Sequence, residues 1–297
     1  MRRKIAGFFL CFVLLGALFP MTVYGDMGPK ASVRITFENM EDTDTPCYGT
    51  LLSQSSSTGP ASVWDGTPEF QRYREGDEGY EIWKAFVEYS DSDGFYFLQQ
   101  WWDCGESGTL NWTYYPPQTF KILLYYPESG TFAVSGIYQK YAFDSYFTVD
   151  LRGVSQNAAE NPLLVARRSY DYTWELISLF CRIVLTILLE LILALLFGLG
   201  KKPLLWRIAG VNVVTQVLLN VALNVIRYQQ GSLMFVVYYI LLEMAVLVLE
   251  AVVYSIMLPK VSGGGVSVWK SVVYALVANA ASFAAGLGLA RVIPGIF

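Results

Sequence analysis

Between residues 169 and 297 the only acidic side chains are Asp171, Glu175, Glu190, Glu243 and Glu250, and the last four interrupt apolar runs each long enough to cross a bilayer. Such a stretch has far more apolar surface than one aqueous core can bury. Its solvent has to be lipid for most of its length. The runs cover about 173–199, 204–226, 233–258 and 268–290, which predicts an all-α four-helix transmembrane bundle over residues 169–297. Only 15% of the chain is charged, whereas a soluble protein carries about 25%. Residues 26–168 run the other way, with 20 acidic and 10 basic side chains. That segment reads as water-soluble.

The second run carries an amide every four residues: Asn212, Gln216, Asn220 and Asn224. Each four-residue step turns about 40° round a helix, so the four sweep an arc of about 120°, with Arg227 near its centre. The same spacing puts Glu175, Arg182, Thr186 and Glu190 on one face of the first run. On the third, Tyr239, Glu243, Glu250 and Tyr254 share a face. Hydrocarbon satisfies none of these groups, so the three stripes are expected to face one another as an interior polar seam. Rise per residue places Arg182 and Glu243 at similar mid-membrane depth, with Glu190 and Glu250 deeper. Interhelical hydrogen bonding is the bland reading of the seam. An ion, proton or solute path is the functional one, because an unpaired intramembrane carboxylate marks proton coupling. On the fourth run, Ala278, Ser282 and Gly286 form a small-residue face beside Asn279, which suits close packing and not chemistry.

The N-terminus, "MRRKIAGFFLCFVLLGALFPMTVYG", has a basic start, an apolar run from Ile5 to Phe19 and a break at Pro20. It reads as a signal peptide over residues 1–25, with an uncleaved anchor as the alternative. Export of residues 26–168 puts Lys201, Lys202, Arg207, Lys260 and Lys270 inside, against Arg227 and Arg291 outside. The expected arrangement is a multi-pass plasma-membrane protein with residues 26–168 and the C-terminus outside. Trp174, Trp206 and Trp269 fall near run ends, as interfacial tryptophans do.

Of four cysteines, Cys11 belongs to the signal and Cys181 to an apolar run; Cys47 and Cys104 share the exported segment, where a disulfide is permitted. There is no histidine, which removes Ser-His-Asp and Cys-His nucleophile systems and His-bearing zinc sites. No catalytic residue, metal ligand or cofactor motif stands out.

Residues 26–168 are expected to fold as a β-rich, sandwich-like α+β domain. Strand-like stretches are "ASVRITFEN" (31–39), "GFYFLQQWW" (94–102), "FKILLYY" (120–126), "TFAVSG" (131–136) and "YFTVDL" (146–151). "EIWKAFVEY" (81–89) has helical spacing. "DSDGFY" lacks the full calcium-loop pattern and reads as a turn. "NWT" (111–113) is formally a glycosylation acceptor. The crowd of tryptophans and tyrosines is expected to fill a small core more than to form a ligand platform.

The segments "DMGPKASVRITFEN", "TLLSQSSSTGP", "GFYFLQQWWDC", "YYPPQTFKILLYYPESG", "YAFDSYFTVDL" and "NVVTQVLLNVALN" resemble a family of polytopic membrane proteins from clostridial gut bacteria with an N-terminal exported domain. The likeness runs from Asp26 through nearly the whole chain. It implies a Gram-positive plasma membrane, makes glycosylation at Asn111 irrelevant, and brings no activity or cofactor with it. The leading expectation is a non-enzymatic membrane protein whose residues 26–168 bind a protein partner or an envelope ligand. The alternative is a small transporter or channel subunit, requiring a homo-oligomer, that uses the seam; an intramembrane enzyme is the remainder. Nothing in the chain suggests nucleic acid.

Overall fold

The computed structural model describes residues 29–40, 46–152, 154 and 163–289. The signal peptide read over residues 1–25, with Cys11, lies outside the described residues, as does Arg291.

The N-terminal region is a layered β structure. β1 (Ser32–Glu38) buries Val33, Ile35 and Phe37 and exposes the residues between them, the alternation of a strand with one wet face. It pairs in parallel with β11 (Asp144–Asp150), Val33 opposite Ser145, and antiparallel with β7 (Thr109–Trp112). β13 (Ala166–Arg168) extends the far side of β11. A second sheet is centred on β8 (Thr119–Tyr126), which lies between β2 (Tyr48–Ser53) and β9 (Thr131–Ser135), both antiparallel to it. The short strands β5 (Tyr96–Phe97) and β6 (Trp102–Asp103) pair with β2, β10 (Tyr138–Gln139) with β8, and β12 (Leu163–Leu164) with β9. β3 (Ser57–Thr58) and β4 (Ala61–Ser62) make a separate small hairpin.

The two larger sheets share one core. Ile35, Leu110, Trp112, Phe147 and Val149 from the first pack with Leu51, Phe120, Ile122 and Leu124 from the second. The other face of the second sheet packs Leu52, Phe97 and Leu123 against Trp83 and Phe86 of helix α1 (Tyr80–Glu88). β8 is therefore covered on both faces, which is why "FKILLYY" reads as a nearly unbroken apolar run. Trp83 and Trp112 are fully buried, so the aromatics do build core here.

Two expectations need correction. The stretch 94–102 is not one strand, because Gln99 adopts φ 58°. Its buried carboxamide donates to the Ser62 and Phe70 carbonyls and accepts from the Arg72 amide, fastening the 62–72 loop to the sheet. Cys47 and Cys104 are buried free thiols and not a disulfide. They sit side by side: Cys47 O accepts from the amides of Cys104 and Gly105, in the short helix α2 (Cys104–Ser107), at 2.8 and 3.0 Å.

After β13 come three helices long and apolar enough to cross a membrane: α3 (Thr173–Leu196), α4 (Lys202–Val261) and α5 (Val268–Leu289). They support a membrane protein. The runs read as 204–226 and 233–258 belong to the single 60-residue α4, which is helical on either side of Gly231 and non-helical at it, with φ 83° and ψ −179°. The arms fold back on each other. Thr215 Oγ1 reaches Glu250 Oε1 at 2.6 Å, whereas a straight helix would hold those residues about 50 Å apart.

The fold of α4 also meets the β region. The Phe143 amide, in the loop before β11, donates to Tyr228 O at 2.8 Å. Tyr170 and Tyr172, leading into α3, pack their rings on Tyr228 at 5.3 and 6.3 Å between centroids. A Cβ at Gly231 would lie 2.6 Å from the Phe143 ring. Glycine is required there for both space and backbone angle.

Candidate functional site

The helices bury a polar stripe between two apolar clusters, one around Leu204, Ile208 and Leu258 and one around Leu219, Leu223 and Phe235, and are apolar outside. The buried residues of α3 are Ser178, Arg182, Thr186, Glu190 and Ala194, one every four positions, while Leu176, Phe180, Leu188 and Ile192 are exposed. The first arm of α4 buries Asn212, Thr215, Gln216 and Asn220, and the second buries Tyr239, Glu250 and Tyr254. α5 contributes Ser271, Tyr274, Asn279 and Ser282. The stripes expected from spacing therefore converge. Glu175, Asn224, Arg227 and Glu243 are only half-buried; Glu175 accepts from the Tyr170 hydroxyl at 2.6 Å, at the end of the bundle nearest the β region.

Two layers can be distinguished. In one, the Arg182 guanidinium lies over the rings of Phe235 and Tyr239, 5.5 and 5.9 Å from their centroids, with the Glu243 carboxylate among its charged neighbours. In this geometry the cation is shared between π faces and an acid.

The other layer is a closed chain of contacts around Glu190 and Glu250. Glu250 Oε1 accepts from Thr215 and Oε2 accepts from Asn279 Nδ2 at 2.8 Å. Asn279 Nδ2 also donates to the Ala275 carbonyl. Asn212 Nδ2 donates to Tyr254 Oη at 2.9 Å and to the Ile208 carbonyl at 3.1 Å. The Tyr254 ring packs on Tyr274 at 5.6 Å, and the Tyr274 hydroxyl donates to the Glu190 main-chain oxygen at 3.0 Å. Glu190 itself is fully buried and adjoins Asn212 and Glu250. Further along the first arm, Asn220 Nδ2 donates to Gln216 O at 2.8 Å.

Asn279 is thus a working member of the seam and not a bystander in small-residue packing. Thr215 was missed altogether. Both gain their role from Glu250, which lies 35 and 29 positions away in sequence. The signal available was weak: Thr215 lies three residues after Asn212, on the same face of the helix.

The β region offers less. An open depression of 430 Å³ is lined by Ile137, Tyr138, Gln139, Phe147, Ala166 and Arg168. Among the described residues there is no cluster of three or more His, Cys, Asp or Glu side chains able to hold a metal.

No protein-family model, curated protein or solved structure matches this chain.

Proposed function

We propose that the chain is a non-enzymatic, multi-pass plasma-membrane protein that crosses four times, each arm of α4 making one crossing, and holds residues 26–168 outside as a partner- or ligand-binding module. One observation carries this reading. The β region is not tethered by a slack linker but seated on the fold of α4, through Phe143, Tyr228 and Gly231. A domain seated in this way can pass occupancy or strain into the helices, as a sensor or assembly subunit requires. The basic residues Lys201, Lys202, Arg207, Lys260 and Lys270 favour the assigned orientation.

Two measurements test it. A cysteine introduced at Ser57 should react with an impermeant maleimide in intact cells, and one at Lys201 only after permeabilisation; the reverse pattern defeats the topology. Deleting residues 30–165 should abolish the cellular phenotype while the helices still insert, and an unchanged phenotype defeats the binding role.

A second reading is favoured by the buried carboxylates. A homo-oligomer could conduct an ion, proton or solute along the seam. It requires Glu190→Gln and Glu250→Gln to abolish a pH-dependent flux in liposomes while the protein still folds, and intact flux in both rejects it.

A further inference from the structure

β13 lies on β11 with Phe147 opposite Arg168, Thr148 opposite Arg167 and Val149 opposite Ala166. Residues opposite one another in a ladder share a face of the sheet. Phe147 and Val149 are core, so Arg168 stands on the core face and Arg167 on the outer one. The two adjacent arginines differ in charge balance. Arg167 is paired with Glu38 at 2.9 Å. Arg168 has no carboxylate partner among the described residues; its guanidinium lies exposed at the sheet edge, 4.6 Å from the centroid of the Tyr141 ring. A charge on the core side of an edge strand can serve only to blunt that edge. This one also borders a cavity.

The cavity is the 430 Å³ depression between β13 of one sheet and β10 of the other. Its apolar side is Ile137, 54% exposed, with Phe147 and Ala166. Its polar side is rich in donors. Tyr138 Oη accepts the Ala166 amide at 2.8 Å, which leaves its own proton to give. The Gln139 carboxamide is exposed and offers both a donor and an acceptor. No acid lines the depression. A fitting ligand is therefore negative and hydroxyl-bearing, and carries no cation of its own, which would find no counter-ion there. The guanidinium fork matches phosphate oxygens with two parallel hydrogen bonds.

Location identifies the source of that phosphate. The Tyr141 ring packs on Tyr228 as well, 6.3 Å between centroids, and Tyr228 lies just past the apolar run 204–226 of α4. α3 begins at Thr173, shortly after Arg168, with Tyr172 and Trp174 exposed beside its start. Exposed Tyr and Trp at the end of a span mark the headgroup layer. We propose that the depression between β10 and β13 binds the headgroup of an anionic phospholipid, a phosphodiester without a cation as in phosphatidylglycerol. Its phosphate lies on Arg168 and its glycerol hydroxyls on Tyr138 and Gln139. The site requires only that the helices lie in a bilayer, and it serves either orientation of the chain. A lipid held there fastens the β region to the membrane surface beside the Phe143–Tyr228 contact.

The test takes the full chain, delipidated in a non-ionic detergent, and follows lipid binding by native mass spectrometry. Phosphatidylglycerol and phosphatidylcholine with identical acyl chains are titrated separately. One phosphatidylglycerol should bind saturably, at a concentration at least about tenfold below phosphatidylcholine. Arg168→Gln should abolish that preference, whereas Arg167→Gln, on the outer face, should keep it. Gln139→Glu sets an acid beside Arg168 and should also weaken phosphatidylglycerol by about tenfold, which tests the site without removing the arginine. Equal binding of the two lipids by the wild-type chain overturns the site, as does an undiminished preference in Arg168→Gln. Displacement of the lipid by an equal concentration of inorganic phosphate would assign the depression to a free anion and overturn the lipid. Neither partner binding nor flux enters the measurement, so both readings stand if this one falls.

Discussion

Lys121 sits on β8 with 3% of its surface exposed, an uncommon place for an ammonium. Asp91 explains it. Nζ lies 2.8 Å from Asp91 Oδ1 and also contacts Asp93, while the Asp91 carboxylate accepts the amides of Asp93 and Phe95. The "DSDG" turn is thus the counter-ion of a buried lysine. Burial alone would pull the Lys121 ammonium down, but its bonds to the two aspartates outweigh it and hold the group above its ordinary value. Lys121→Met should lower stability by about 3–5 kcal/mol, because Asp91 is left buried and unpaired. Adding Asp91→Leu should recover part of that loss, and urea unfolding of both variants decides the point. The thiols give a second prediction. Burial pushes Cys47 up to about 12, a Tyr126 hydrogen bond opposes the rise and the Asp103 charge adds to it. Burial, then the neighbouring Cys47, raises Cys104 as well. Folded thiols therefore keep protons that unfolded ones release above about pH 8.5. The stability they contribute is complete below that pH and is lost as pH climbs toward 12, by about 1.4 kcal/mol per pH unit per thiol. The Cys47→Ala/Cys104→Ala variant should show a shallower alkaline slope in unfolding followed from pH 8 to 11.

At the scale of elements, Gly231 is the most exacting position. Its backbone angles are open essentially to glycine alone, and its missing side chain admits Phe143. Gly231→Ala should destabilise the protein by about 1–3 kcal/mol from the backbone alone. Phe143→Ala in that background should relieve the steric part only, and thermal melts of the single and double variants separate the two effects. The elements themselves were unevenly legible. β1 declares itself because one face is wet, and the helix at Tyr80–Glu88 falls within a residue of 81–89. β2 carries no such pattern; "YGTLLS" is covered on both faces, so alternation vanishes. Stretch 94–102 failed for another reason, since the amide of Gln99 has a tertiary task that β propensity does not register. The amides at 212, 216 and 220 were readable because they all point inward at helical spacing. What Glu190 and Glu250 meet was not readable, because Thr215, Tyr274 and Asn279 reach them only through the fold of α4 and the packing of α5.

Across the whole molecule, the question is whether β region and helices behave as one body or two. Their joint is small: one main-chain bond from Phe143 to Tyr228, rings of Tyr141, Tyr170 and Tyr172 around Tyr228, and Phe143 against Gly231. Interfaces of that size normally permit relative motion. Here, however, the contact is made on a backbone position that tolerates no alternative, so loosening it has to disturb the fold of α4. Cooperative unfolding follows from this. Five of the eight tryptophans lie in the β region, Trp64, Trp83, Trp101, Trp102 and Trp112, so fluorescence reports mainly on it, while helical circular dichroism reports mainly on α3, α4 and α5. Heated in detergent, the wild-type chain should show the two signals changing together. Phe143→Ala removes a half-buried ring at a cost of about 1–3 kcal/mol and should pull the transitions apart, fluorescence melting first. Coincident melting in Phe143→Ala would move the coupling from Phe143 to the tyrosine rings around Tyr228. Separate melting in the wild-type chain would mean that the joint transmits nothing, and with it would go the structural basis for reading the β region as a sensor seated on the helices.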